Sequence, residues 1–249
     1  VVLYALTYYL KIWTQSLETV SSPKARTSYT TLQIDQSTCK QESEPKNISK
    51  KSVKAVNNFD PNEKVGPTGY KEQNYFREAG NIPFQVYYEN KDFATAPVHV
   101  LKIEDQLDVD KYDLSTFSFG RFTVADSTWY PDPGLKEFFG DYYLSEHDVI
   151  ARVYGRLDTL TGEIYWEIRS LDPNTLTDIE DPDVGFLPPN KTSPEGEGMI
   201  SFNVNSYEDL DHGTEIENNA SIIFDANQPL VTNTYKMTLD QEAPESKVN

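Results

Sequence analysis

Four aspartates, Asp105, Asp108, Asp110 and Asp113, recur within a single short stretch of the chain. Carboxylates this close repel one another unless water or a cation lies between them, and oxygen-only ligands suit Ca²⁺. A second acidic run holds Asp172, Asn174, Asp178, Glu180, Asp181 and Asp183. A third candidate pairs Asp60 and Asn62 with Asp225 and Asn227, brought together by the fold. None has the EF-hand register, because no glycine stands at the sixth position and no glutamate closes the loop. Calcium binding therefore competes at each with the plainer reading of a solvated acidic loop.

Catalytic chemistry has less to stand on. The histidines are His99, His147 and His212; they are scattered, no Gly-x-Ser-x-Gly elbow accompanies them, and a zinc site needs a tighter cluster. The chain is read as a non-enzyme. His99 alternates with Val98 and Val100 as an outward strand residue, and His147 and His212 sit in loops or turns. Paired acids at a sugar cleft would make a glycosidase, but acids are abundant here for reasons of composition. Trp129, Tyr130, Tyr142 and Tyr143, with Phe138 and Phe139, offer rings for carbohydrate stacking; the competing reading has them covering the end of the domain or touching a neighbour. Asp60–Pro61 resembles a self-cleaving bond and is also an ordinary turn signal. Lys–Asn isopeptide links occur in some bacterial sandwiches, although the sequence singles out no pair. Sequons stand at Asn47, Asn190 and Asn219.

The elements that must position these residues are short strands. From Ile82 onward, alternating apolar runs are separated by turn residues. Strands are expected at Ile82–Asn90, Ala96–Gln106, Thr116–Val124, Asp148–Asp158, Glu163–Ser170, Glu197–Val204, Glu215–Phe224 and Val231–Leu239. The loop ending in Thr161–Gly162 joins two of them as a hairpin with Gly162 at positive φ, and Asp211–Thr214 forms a second sharp turn. Ile164, Trp166 and Ile168 share one face, with Trp166 as the central core aromatic. Ala125–Glu146 and Leu171–Glu195, rich in Pro, Asp and Gly, read as surface loops. Nearer the start, Leu3, Leu6, Leu10, Trp13 and Leu17 follow helical spacing, with a strand over Val1–Leu6 as the alternative. Residues 21–57 read as an extended linker.

Composition agrees with a β-rich core. The 249 residues include 16 Tyr, 12 Phe and 3 Trp, the rings that sheets bury between them. Forty acidic residues against 22 basic give a net charge of −18, which repels phosphate backbones and anionic lipid heads and so argues against nucleic acid as a partner. Cys39 stands alone, so no internal disulfide staples the fold. The apolar run at Val1–Trp13 is too short to span a bilayer, which needs about 20 residues, and lacks the marks of a signal peptide. The chain reads as a fragment of a longer polypeptide.

Several stretches together carry a resemblance: Phe59–Pro67, Ile82–Asn90, Ala94–Val98, Ile103–Leu107, Leu157–Gly162, Gly185–Asn190 and Asn219–Asn227. In this ordered series the chain resembles the immunoglobulin-like conserved-repeat modules of large secreted and surface proteins of Bacteroidetes, planctomycetes and cyanobacteria. The resemblance runs from about Asn58 to the end. It implies an all-β, immunoglobulin-like antiparallel sandwich over 58–240, after an N-terminal helical and extended region over 1–57 and before a linker at 241–249. It implies a secreted or cell-surface location and no catalysis. The expected partners are neighbouring domains of the parent protein or identical subunits, as in a filament, with a glycan as the alternative.

Overall fold

The computed structural model describes residues 62–71, 73–76 and 80–241. The chain divides into two units, Val1–Ala55 and Val56–Asn249, and all of the described residues belong to the second. The expected N-terminal helix, the linker, Cys39, Asp60 and Asn47 lie outside the described residues.

Fourteen strands make up the described part: β1 Lys64–Val65, β2 Tyr75–Phe76, β3 Asn81–Glu89, β4 Val100–Gln106, β5 Tyr112–Val124, β6 Ser127–Trp129, β7 Glu137–Leu144, β8 Val149–Leu157, β9 Glu163–Leu171, β10 Glu197–Ser206, β11 Glu215–Asn218, β12 Ala220–Phe224, β13 Leu230–Val231 and β14 Tyr235–Leu239. One sheet has the order β1-β3-β10-β5-β6 and the other β13-β12-β4-β9-β8-β7. A small third sheet, β11-β14-β2, contains the one parallel pair among the described strands. The fold is all-β, with the two large antiparallel sheets forming a β-sandwich.

The sandwich closes because each long strand has one apolar face. β8 and β9 alternate buried and half-buried residues along most of their length, so Val149, Ala151, Val153, Ile164, Trp166 and Ile168 all point inward. Trp166 is the central aromatic. Phe119 and Phe122 of the facing sheet meet its ring at 5.1 and 5.9 Å, and Phe138 of β7 meets it at 5.1 Å. Burying one such aromatic stabilises the fold by about 1.5–3 kcal/mol, so the cluster ties the sheets together. Gly162 has φ +79° as the hairpin requires. Gly198 serves a different need: a Cβ there would lie 2.2 Å from the ring of Tyr88, so the strand pair β3–β10 can hold that buried tyrosine only across a glycine.

Four expectations are corrected. Ala125–Glu146 is not loop throughout: it carries β6 and β7, whose rings turn alternately in and out. The signal was obscured by Pro131, Pro133 and Gly134 between the two strands. Glu215–Phe224 breaks at Asn219 into β11, which pairs with β14, and β12, which pairs with β4 and β13. Inward residues continue at Ile216, Asn218, Ala220, Ile222 and Phe224, so alternation alone gives no sign of the change of sheet. Val231–Leu239 breaks likewise between β13 and β14. The strand expected from Ala96 begins at Val100, and His99 lies just before it.

Candidate functional site

The sandwich interior holds a charged group where apolar residues are the rule. β4 turns Leu101, Ile103 and Asp105 inward, and β11 turns Ile216 and Asn218 inward. β1 contributes Lys64. These three polar side chains meet: the Lys64 Nζ donates to Asp105 Oδ2 and to Asn218 Oδ1, both at very close approach. The side chains of Lys64 and Asp105 are 0% and 1% exposed. Phe84 and Phe202 flank the amine, their ring centroids 4.7 and 5.0 Å from Nζ.

The surroundings fix each partner. Lys64 is clamped through its backbone: its N–H donates to Asn233 Oδ1 at 2.8 Å, and Asn233 Nδ2 donates to the Lys64 carbonyl at 3.0 Å. Asn218 Nδ2 donates to the Gln106 carbonyl at 3.3 Å, which turns the carboxamide oxygen toward the lysine. Asp105 faces Ala220 of β12 and Ile164 of β9 across the sheet. Its second oxygen, Oδ1, has no hydrogen-bond partner.

Burial pushes the Lys64 pKa below its ordinary value, with Asp105 acting in the opposite direction. A buried ammonium is costly without compensation. Here compensation comes from one carboxylate and two ring faces, and the amine is driven toward its neutral, nucleophilic form. The arrangement thus sets a desolvated amine against a carboxamide carbon, with a carboxyl group touching the amine. Those are the parts needed to make an amide between Lys64 and Asn218.

The acids expected to bind calcium are placed elsewhere or engaged by the main chain. Asp105 is separated from its sequence neighbours, pointing into the core while Asp108 and Asp110 face solvent. Asp108 accepts from the Asp110 N–H at 3.0 Å and pairs with Lys111 at 3.2 Å. Asp113 accepts from the Ser115 N–H at 3.0 Å. Asp172 accepts from the N–H groups of Asn174 and Thr175 at 2.8 and 2.9 Å, and these bonds lower its pKa. Asp178 pairs with Arg169 at 3.3 Å. Asp225 accepts from the His99 and Val100 N–H groups at 2.9 and 2.8 Å, while Asn62 accepts from the Glu89 N–H at 3.4 Å. The Asn227 N–H donates to the Phe224 carbonyl at 3.0 Å. Among the described residues no three His, Cys, Asp or Glu side chains gather as a metal site.

The aromatic candidates divide. Trp129 and Tyr142 are half-buried, packed on each other at 5.0 Å and on Phe122 at 5.5 and 5.1 Å. Tyr130 and Tyr143, with Phe139, are 72%, 57% and 62% exposed. Phe139 and Tyr143 lie on the outward face of the edge strand β7. Between them Asp141 forms a two-point ion pair with Arg152, both contacts 2.7 Å.

The sequence pattern picks out neither Lys64 nor Asn218, and it groups Asp105 with Asp108, Asp110 and Asp113 although its side chain is buried in the core. A signal existed: Leu101, Ile103, Asp105 and Leu107 alternate, as do Ile216, Asn218, Ala220 and Ile222, so each polar residue stands in an apolar register. Lys64, in a two-residue strand, has no such frame.

Fold and site together give an antiparallel β-sandwich with an amine, a carboxyl and a carboxamide enclosed in its interior. Residues 183–238 match a family described as a domain of unknown function (DUF7619). None of the curated proteins matches the chain. Among solved structures, it is similar to the C-terminal domain of the Streptococcus pyogenes antigen I/II-family protein AspA, at 14% identity and TM-score 0.37 over 71% of this chain and 46% of that one. It is similar to the collagen-binding domain of a Staphylococcus aureus adhesin, at 12% identity and TM-score 0.36 over 72% of this chain and 97% of that one. It is also similar to the group B streptococcus pilus 2b backbone protein, at 12% identity and TM-score 0.40 over 71% and 56%. Two of these three matches thus span little more than half of the solved chain or less. Among the described residues no helix is long and apolar enough to cross a membrane.

Proposed function

We propose that this chain is a structural module of a secreted or cell-surface bacterial protein, and that it locks its own fold by an isopeptide bond between Lys64 and Asn218. The observation that carries the reading is the enclosed contact of Lys64 Nζ with both Asn218 Oδ1 and Asp105 Oδ2. An ionised carboxylate is a poor electrophile, so Asn218 supplies the carbonyl carbon and Asp105 moves protons. Lys64 passes a proton to Asp105, and the neutral Nζ forms a bond to Asn218 Cγ. Asp105 protonates the developing oxyanion and then takes a second proton from Nζ. Asp105 gives that proton to Nδ2, the Cγ–Nδ2 bond breaks to release ammonia, and as the carbonyl re-forms Asp105 takes back the hydroxyl proton. One amide is exchanged for another, with no oxidant or cofactor. The rings of Phe84 and Phe202 exclude the water that would otherwise compete.

Such a bond supplies what a chain with one cysteine cannot obtain from an internal disulfide. Intact-mass measurement tests it. The purified protein is expected to be lighter than its sequence by one ammonia, with Lys64 and Asn218 peptides joined after digestion. Lys64→Met, Asp105→Ala and Asn218→Ala are each expected to have the full mass of their own sequences. A full-mass parent protein ends the proposal.

The exposed Phe139 and Tyr143, beside the Arg152–Asp141 pair, favour an adhesive use of the outer face, and carbohydrate is the ligand class to try first. Rings beside a fixed ion pair suit sugar faces and hydroxyls. Glycan-array binding lost on Phe139→Ala is the expected result; silence across the array removes carbohydrate.

A further inference from the structure

Two buried polar atoms near the Lys64 centre, Asp105 Oδ1 and the Tyr112 hydroxyl, lack hydrogen-bond partners. β4 ends at Gln106 and β5 begins at Tyr112, the intervening loop crossing from one sheet to the other. Asp105 is the last inward residue of β4 and Tyr112 the first of β5, so both project into the same end of the interior. Tyr112 is fully buried. Its hydroxyl makes no hydrogen bond, and neither does Asp105 Oδ1. Its ring meets Phe84 edge-on at 6.2 Å, and Phe84 is the ring 4.7 Å from Lys64 Nζ.

A buried hydroxyl and a buried carboxylate oxygen without partners each cost about 1–3 kcal/mol, and native interiors rarely leave both so. Burial, and after it the nearby Asp105 charge, push the Tyr112 hydroxyl above its ordinary pKa. The hydroxyl therefore keeps its proton and can serve as a donor. An orphan donor and an orphan acceptor in one apolar chamber are complementary. A turn of the Asp105 carboxyl plane, or one buried water, joins them.

We propose that the Tyr112 hydroxyl donates to Asp105 Oδ1 and so holds the other oxygen, Oδ2, toward Lys64 and Asn218, making Tyr112 a positioning residue for the cross-link. The assignment rests on the isopeptide reading above. Tyr112 touches none of the reacting atoms in this role; it acts through the aim and proton affinity of its partner.

The test is the rate of ammonia loss, followed by intact mass in freshly synthesised full-length protein across a range of pH. Tyr112→Phe removes one oxygen and keeps the ring. It is expected to slow cross-linking about tenfold, the worth of one buried hydrogen bond, and to displace the pH profile of the rate. Tyr112→Met, a second apolar replacement, is expected to behave alike. Both substitutions are also placed in a background carrying Lys64→Met and Asp105→Ala, where neither the cross-link nor the hydroxyl's acceptor exists; melting temperatures there close to that of the background separate positioning from packing. A parental rate and profile in Tyr112→Phe overturns the proposal. So does a slower rate with an unmoved profile and an equal loss of stability in the doubly substituted background. If the parent protein itself never loses ammonia, the isopeptide reading has failed, and that failure is visible without any Tyr112 variant.

Discussion

Asn218→Ala is the perturbation that weighs the cross-link most cleanly, because it removes the electrophile while leaving the buried Lys64–Asp105 pair compensated. Lys64 and Asn218 lie 154 residues apart in sequence. Closing a loop of that length removes chain entropy from the unfolded state worth about 5 kcal/mol. Asn218 Nδ2, which donates to the Gln106 carbonyl before the reaction, has left as ammonia in the cross-linked parent, so that bond is absent from both proteins and the loop effect dominates. For a domain of this size each kcal/mol moves the melting temperature by roughly 2–4 °C, giving an expected drop of roughly 10–20 °C. Calorimetry or circular dichroism on the parent and variant, each with its mass checked, reads this directly. The urea slope is expected to rise in the variant, since its unfolded chain exposes more surface once the loop is open. If the parent is lighter by one ammonia and Asn218→Ala melts within about 5 °C of it, the loop-closure reasoning is refuted for this fold.

Other outcomes follow from single contacts. Gly198→Ala places a methyl 2.2 Å from the buried Tyr88 ring and is expected to lower stability by about 1–3 kcal/mol in urea titration. Asp225→Ala frees the His99 and Val100 N–H groups, and a loss of about 1–2 kcal/mol is expected from the same measurement. In acid, Asp141, held low by its hydrogen bonds to Arg152, and Asp158 and Asp172, held low by backbone N–H groups, lose stabilising contacts. Their folded pKa values lie below the unfolded ones, so the contribution is complete above about pH 4 and disappears as pH falls through the lowered values. Asp158→Asn with Asp172→Asn is accordingly expected to flatten the acid limb of a melting-temperature profile; an unchanged slope counts against those bonds.

Alternation made the sandwich legible in advance. Along β3, β8, β9 and β10 most of the alternate, inward residues are apolar, and burial of one face is all that the pattern needs to encode. Trp166 and the Gly162 hairpin follow from local chemistry for the same reason. β6 and β7 were hidden because the prolines between them resemble a loop, and the division of residues 215–224 between two sheets was hidden because inward alternation continues through Asn219. Sheet partnership is a long-range choice that leaves no mark on a period of two.

The amino-acid order by itself determined an acidic, aromatic, strand-forming chain with one thiol, able to close two sheets over a core. It also placed Asp105 and Asn218 in apolar registers, where a polar residue must find a partner. Only the tertiary structure decided what those partners are. Lys64 reaches Asn218 across a sequence separation of 154, and no local pattern specifies a meeting at that distance. The chemistry appears only once two sheets have expelled water from around three side chains, because an amine in solvent stays protonated and unreactive toward an amide.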